Sequence, residues 1–156
     1  MTNLDYFIAG YNKAQDKEKY VDKHITKNYM KYEEKIAEAN KIVDLTYYDH
    51  DVEPKVFHKN SPLQYQLFVL RVLKNYTDIE INEINAAEDF NALNRIGAID
   101  DIFAAIPERE IKEFETVLHM VEDDIMTNER SLVGWLSSKL DALSYLLANL
   151  PQEETP

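Results

Sequence analysis

Apolar residues recur every three or four positions along nearly the whole chain, which is the spacing of one face of an α-helix. The longest such series lies near the C-terminus and consists of Val133, Leu136, Leu140, Leu143, Leu147 and Leu150. The pattern predicts an all-α fold, a single-domain helical bundle of about six to eight helices over residues 1–150. Residues 151–156 are mostly polar and are predicted to form a disordered tail.

A second apolar stripe predicts a helix of about four turns and consists of Tyr29, Tyr32, Ile36, Ala39 and Val43. Charged residues, Lys35 and Glu38 among them, occupy the opposite face, which an amphipathic helix turns to solvent. The next long helix is predicted to begin with Ser61 as its cap and proline in its first turn. Because it stays apolar on most sides as far as Tyr76, we expect it at the centre of the bundle.

Helix ends are predicted from glycine, proline and polar residues. Gly97 is expected to end one helix in the left-handed conformation that glycine adopts readily. Pro107 stops a short helical segment and opens the next long helix. A break in the helical register is predicted near residues 127–129.

Residues 46–60 interrupt the helical spacing and are predicted to form either a small two-stranded hairpin or an irregular arm. Three aromatic residues, Tyr47, Tyr48 and Phe57, belong to this segment. A mobile arm has little core in which to bury aromatic rings, so these three are candidate contacts for a partner protein.

The formal charge of −12 is concentrated in residues 78–124, which hold fourteen acidic and three basic residues. A field of this sign repels phosphate backbones and anionic membranes, which argues against direct binding of nucleic acid or lipid. The acidic stretch is either a solubilising surface or a contact surface for another protein. In the second case the candidate contacts are Glu110, Glu113, Asp123 and Asp124.

Composition also bears on the cellular compartment. The chain has no cysteine, which suits a reducing environment. No apolar run approaches the ~20 residues that span a bilayer, and the first residues lack the pattern of a signal peptide. These features predict a cytoplasmic protein.

Histidines and carboxylates offer two arrangements that a metal ion could use. His50 and His58 flank the arm, but the sequence supplies none of the further ligands that zinc requires there. Glu115, His119 and Asp123 stand four residues apart on one predicted helix, without the Glu-x-x-His motif of di-iron bundles. The chain also lacks nucleophile and phosphate-loop motifs. We therefore predict no catalytic, metal-binding or cofactor-binding residues.

One enzyme family stays open as an alternative. Nucleotide pyrophosphatases of the MazG type are small, acidic and all-α, and they bind Mg²⁺ through Glu-x-x-Glu on one helix and Glu-x-x-Asp on the next. Glu80 with Glu83, and Glu110 with Glu113, resemble the first half of that motif. No Glu-x-x-Asp follows either pair, so a Mg²⁺-dependent pyrophosphatase is the second alternative.

Three sequence blocks carry a family resemblance: residues 3–11 (NLDYFIAGY), 32–39 (YEEKIAEA) and 123–131 (DDIMTNERS). Together they resemble small helical proteins encoded by phages and prophages of Gram-positive bacteria. The chain is similar in style to proteins of the virion-assembly genes, including tail assembly chaperones. The resemblance implies a protein of the host-cell cytoplasm and supplies no catalytic residues.

Two functional hypotheses from different classes follow. The first is a non-enzymatic phage-type protein that acts in head or tail assembly, with its arm and an exposed helix face bound to another viral protein. The alternative is an acidic inhibitor that mimics nucleic acid and blocks a host nuclease or defence complex, in the manner of an anti-CRISPR protein. The stripes at residues 29–43 and 133–150 also allow a homodimer.

Overall fold

A computed structural model of the chain describes residues 2–49, 56–57, 59–82, 85–130 and 132–148. Within these residues there are eight α-helices, which confirms the predicted all-α bundle. The helices are α1 (Leu4–Lys13), α2 (Lys17–Asp22), α3 (Tyr32–Tyr47), α4 (Ser61–Tyr76), α5 (Ala86–Arg95), α6 (Ala98–Ala105), α7 (Glu108–Arg130) and α8 (Leu132–Ala148). The predicted tail at 151–156 lies outside the described residues.

Four two-residue strands form two minimal sheets. The strands are β1 (Thr2–Asn3), β2 (Tyr48–Asp49), β3 (Val56–Phe57) and β4 (Ile79–Glu80). β1 and β4 pair in parallel and hold the N-terminus beside the end of α4. β2 and β3 pair antiparallel, with Tyr48 opposite Phe57, so the predicted arm is a small hairpin. Residues 50–55 and 58, with both histidines of the arm, lie outside the described residues.

The hairpin begins two residues later than the predicted arm, because α3 continues through Tyr47. The buried face of α3 also differs from the predicted stripe. Tyr29 and Tyr32 are exposed, whereas Lys35 is fully buried. The prediction that Lys35 faces solvent is therefore wrong, and the reason is that two glutamates of α7 meet it inside the protein.

The helix ends follow local hydrogen bonding. The cap of α4 is Asn60, whose side chain accepts a hydrogen bond from the backbone N–H of Leu63, so the predicted cap at Ser61 is one residue late. Gly97 has a φ of 74° between α5 and α6, as predicted. The predicted break near residues 127–129 is absent from the described chain, where α7 runs unbroken to Arg130.

α4 lies at the centre of the bundle, as its apolar sequence predicts. Its buried residues run from Phe68 to Leu73 and end with Tyr76. α3 packs against both α4 and α7, and α5 and α6 close the far side of α4 and continue towards α2. Buried apolar side chains from α1 to α7 join in one core cluster, and α8 packs mainly against α7.

Candidate functional site

The interior between α3 and α7 contains a buried cluster of charges around Glu110. Lys35 is 0% exposed and its Nζ lies 2.9 Å from Glu110 Oε2, while the same ammonium group also contacts the half-buried Glu113. Glu110 Oε2 accepts two further hydrogen bonds of 3.0 Å, from the backbone N–H of Met30 and from the hydroxyl of Tyr76. One carboxylate thus joins the segment before α3 with α3, α4 and α7.

The surroundings of Glu110 keep the cluster ionised. Burial by itself would raise the pKa of Glu110, but hydrogen bonds from Lys35, Met30 and Tyr76 outweigh it and lower the pKa. Burial would likewise lower the pKa of Lys35, and its bonds to Glu113 and Glu110 reverse this and raise it. A charge pair of this kind stabilises the fold only because each partner is saturated.

This pairing bears on the Glu-x-x-Glu motif of Glu110 and Glu113. The Lys35 ammonium group lies between the two carboxylates, in the position that a Mg²⁺ ion would have to take. Glu110 is 6% exposed and is therefore unavailable to a partner at the surface. Of the other pair, Glu80 is exposed on β4 and Glu83 lies outside the described residues.

A second buried carboxylate, Glu122, lies three turns further along α7. Its Oε1 accepts hydrogen bonds from the Tyr47 hydroxyl at 2.5 Å, from Gln64 Nε2 at 2.6 Å and from Lys59 Nζ at 2.9 Å. Its Oε2 lies 2.9 Å from Nδ1 of His119. Since Tyr47 precedes the hairpin and Lys59 follows it, Glu122 fastens both ends of the hairpin to α7.

The chemistry of Glu122 is that of a permanent anion. Burial would raise its pKa, but the hydrogen bonds from Tyr47, Gln64, Lys59 and His119 outweigh it and lower the pKa to about 2. A general base or acid at neutral pH needs a pKa near the working pH, and this group is far from it. Glu122 therefore stabilises the structure. It also lines a pocket of about 190 Å³ with His119 and Tyr65, but its pKa does not suit it to proton transfer there at neutral pH.

The predicted alignment of Glu115, His119 and Asp123 does not converge. All three side chains are exposed on α7, and His119 turns to Glu122. Within the described part of the chain, no three histidine or carboxylate side chains are arranged to hold a metal ion.

The residues proposed as partner contacts fall into different environments. Tyr47 is 1% exposed and Tyr48 is half-buried against the core, so the expectation that an arm leaves both rings uncovered does not match the fold. The backbone of Phe57 pairs with that of Tyr48, while its side chain lies outside the described residues. Asp123 and Asp124 are exposed on α7 and remain accessible to a partner.

The structure places an apolar surface on α8 that the sequence pattern could not orient. Leu136, Leu140 and Leu143 are 45%, 61% and 55% exposed, at positions that share one face of the helix. Gly134 and Ala142 are partly buried on a different side. The apolar stripe of the sequence was open to interpretation as core or as a dimer seam, and three of its leucines, Leu136, Leu140 and Leu143, face outward.

No family model, curated protein or solved structure matches this chain. No helix in the described part of the chain combines the length and the apolar content that crossing a bilayer requires.

Proposed function

We propose that the protein acts without catalysis, through contacts with other proteins, in the assembly of a phage head or tail. The observation that carries the proposal is the contrast between its interior and its surface. The two buried carboxylates of α7, Glu110 and Glu122, are saturated by internal donors, whereas Asp123 and Asp124 of the same helix lie exposed. Exposed charges of one sign can orient a partner protein through charge complementarity.

The exposed acidic residues of α7 supply the contact surface for such a partner. Asp123 and Asp124 follow directly after the buried Glu122, so their position is held by the hydrogen bonds that fix Glu122. A viral partner with basic residues fits this surface, and charge complementarity would set its orientation and its association rate.

Co-purification and cross-linking with the structural proteins of the encoding phage test the proposal. We expect one head or tail protein to be retained in a fixed ratio to this chain. Reversal of Asp123 and Asp124 to lysine should weaken that complex at least ~10-fold, equivalent to about 1.4 kcal/mol. Reversal of Glu18 and Glu33, which are exposed on α2 and α3, is the matched control. Retention of no structural protein would contradict the proposal.

A second candidate function, the acidic inhibitor of a host nuclease or defence complex, is favoured by the exposure of many carboxylates in 78–124. The exposed carboxylates described there are Glu80, Glu88, Asp100, Glu108, Glu115, Asp123 and Asp124. Side chains of this sign can occupy a groove that otherwise binds phosphates.

The inhibitor hypothesis is tested with nuclease assays in rising salt. Inhibition should weaken steeply with salt, because exposed charges are screened over ~8 Å at physiological ionic strength. Reversal of Glu115, Asp123 and Asp124 should abolish it, whereas reversal of Glu110 is unsuitable because it would disrupt the pair with Lys35. A triple variant that inhibits normally would exclude this function.

A further inference from the structure

An apolar stripe of leucines on a helix is usually covered by another element. No described element covers the leucine face of α8. The helix has α7 as its main neighbour, and Leu136, Leu140 and Leu143 are about half exposed. Removing such side chains from water stabilises a protein, so a helix with this pattern gains by pairing. We infer that this face is covered by α8 of a second copy of the chain, in an antiparallel two-fold pair.

The charge distribution favours a second copy as the occupant. The charge of −12 is concentrated in residues 78–124, and two such surfaces repel each other. α8 lies outside that stretch, and its seventeen residues carry one cation, Lys139, and one anion, Asp141. Two copies can therefore meet along α8 without bringing like net charges together. A helix that lies on an anionic membrane needs several basic residues on its polar face, and α8 has a single lysine.

The spacing of the leucines favours the antiparallel arrangement. Leu136, Leu140, Leu143 and Leu147 are separated by four, three and four residues, so the series reads the same in both directions. A two-fold axis between positions 141 and 142 sets 136 opposite 147 and 140 opposite 143, in an isologous contact. Lys139 then faces position 144, a serine, and no two like charges oppose each other.

The mass in solution is the first test. Light scattering should give twice 18.2 kDa for the wild-type chain, and Leu140→Glu should halve that mass. Two matched controls place the same new carboxylate elsewhere. Ala148→Glu lies on α8 away from the leucines, and Tyr6→Glu replaces a side chain that is 73% exposed on α1. Both controls should remain dimeric, and circular dichroism checks that all three variants keep their helix content.

Two results would contradict a dimer formed through α8. A wild-type chain that is monomeric at ~100 μM, a concentration at which even micromolar pairs assemble, would overturn it and leave the leucine face to a foreign protein. A Leu140→Glu variant that stays dimeric would place the interface elsewhere. Failure of the pair does not affect the co-purification test of the proposed function, which reads a different partner.

Disulfide trapping tests the orientation, because a chain without cysteine carries a single thiol after one substitution. Leu140→Cys should form disulfide-linked dimers, since the two copies of this position lie roughly 4–5 Å apart along the axis of an antiparallel pair. Leu136→Cys should not, because its copies are separated by roughly 16 Å along the axis. Efficient cross-linking through both positions would indicate a parallel pair and overturn the two-fold arrangement.

Salt separates this contact from one made by the acidic surface. Raising NaCl from about 50 to about 500 mM screens the repulsion between two acidic copies, so the dimer Kd should fall or stay constant. A dimer that dissociates at high salt would contradict an apolar, near-neutral interface.

Discussion

Two regions of the protein reverse the usual distribution of residues: charged side chains are buried between α3 and α7, and leucines are exposed on α8. Lys35 and Glu110 are buried almost completely, while Leu136, Leu140 and Leu143 keep about half of their surface exposed. Both regions come from helices with similar spacings of apolar residues. The difference between them therefore lies in what each helix packs against.

In this protein a side chain is buried where another element supplies a partner for it. Lys35 can be buried because two carboxylates of α7 neutralise its charge, and the Tyr76 hydroxyl donates a further hydrogen bond to Glu110. Leu136, Leu140 and Leu143 are exposed because no described element buries this face of α8. A charge with partners lies inside this protein, and these three leucines lie at its surface.

Removing the cation from the interior should have the largest effect. Lys35→Met leaves the carboxylate of Glu110 buried without its counter-ion, and we expect a loss of about 3–5 kcal/mol in the free energy of unfolding. Lys41→Met on the same helix is the control, because Lys41 is 55% exposed and its partner Glu38 keeps a second ion pair with Arg71. Its cost should stay below about 1 kcal/mol in urea denaturation.

A double-mutant cycle sharpens this prediction. Lys35→Met combined with Glu110→Gln removes the unpaired charge, so the double variant should recover part of the loss seen for Lys35→Met alone. If the two losses simply add, the buried pair does not exist as described.

Replacing Glu122 should have the next largest effect. Glu122→Gln removes the anion that accepts hydrogen bonds from Tyr47, Lys59 and Gln64, and we expect a loss on the order of 2–3 kcal/mol. Hydrogen exchange should rise at the hairpin strands, whose two ends Glu122 holds. Glu115→Gln, at an exposed position of the same helix, should change neither measurement.

The same carboxylate predicts a pH dependence of stability. Folding lowers the pKa of Glu122 from its usual 4.5 to about 2, so the native state binds fewer protons than the unfolded state between these values. Its contribution, on the order of 3 kcal/mol, should be complete above about pH 5 and decline as the pH falls towards about 2. Unfolding measured across this range should show a shallower decline in Glu122→Gln than in the wild type.

The smallest effect is expected on α8. Leu140→Ala should change the stability of the dilute, monomeric chain by no more than about 0.5 kcal/mol, because the side chain is already exposed. The identical substitution at Leu93, which is 0% exposed on α5, should cost about 2–5 kcal/mol. A large loss for Leu140→Ala under these conditions would mean that α8 is packed into the monomer, and the contrast between the two regions would disappear.

Much of the architecture was predictable because its causes are local. The helices around α4, the left-handed Gly97 and the opening of α7 after Pro107 follow from apolar spacing and from the backbone preferences of glycine and proline. One error was also local, since the cap of α4 is Asn60 and not Ser61, because the Asn60 side chain accepts a hydrogen bond from the N–H of Leu63.

The candidate site was less predictable than the fold. Asp123 and Asp124 are exposed as an acidic contact surface requires, but Glu110 and Tyr47 are buried. The burial of Glu110 could not be predicted from the sequence, because its partner Lys35 is 75 positions away and no spacing rule links the two residues. Lys35 lies on the same helix face as Ala39 and Ile42, and only this position in the sequence indicated that it would be buried and need an acidic partner.

The amino-acid sequence by itself determined that the chain is helical, where most helices begin and end, and that residues 78–124 are acidic, because these are properties of neighbouring residues. The tertiary structure alone decided which face of each helix is covered. Periodicity defines an apolar stripe but not the direction in which it points, and direction depends on contacts between residues far apart in the chain. For that reason Lys35 lies inside the protein, and Leu136, Leu140 and Leu143 of α8 lie at its surface.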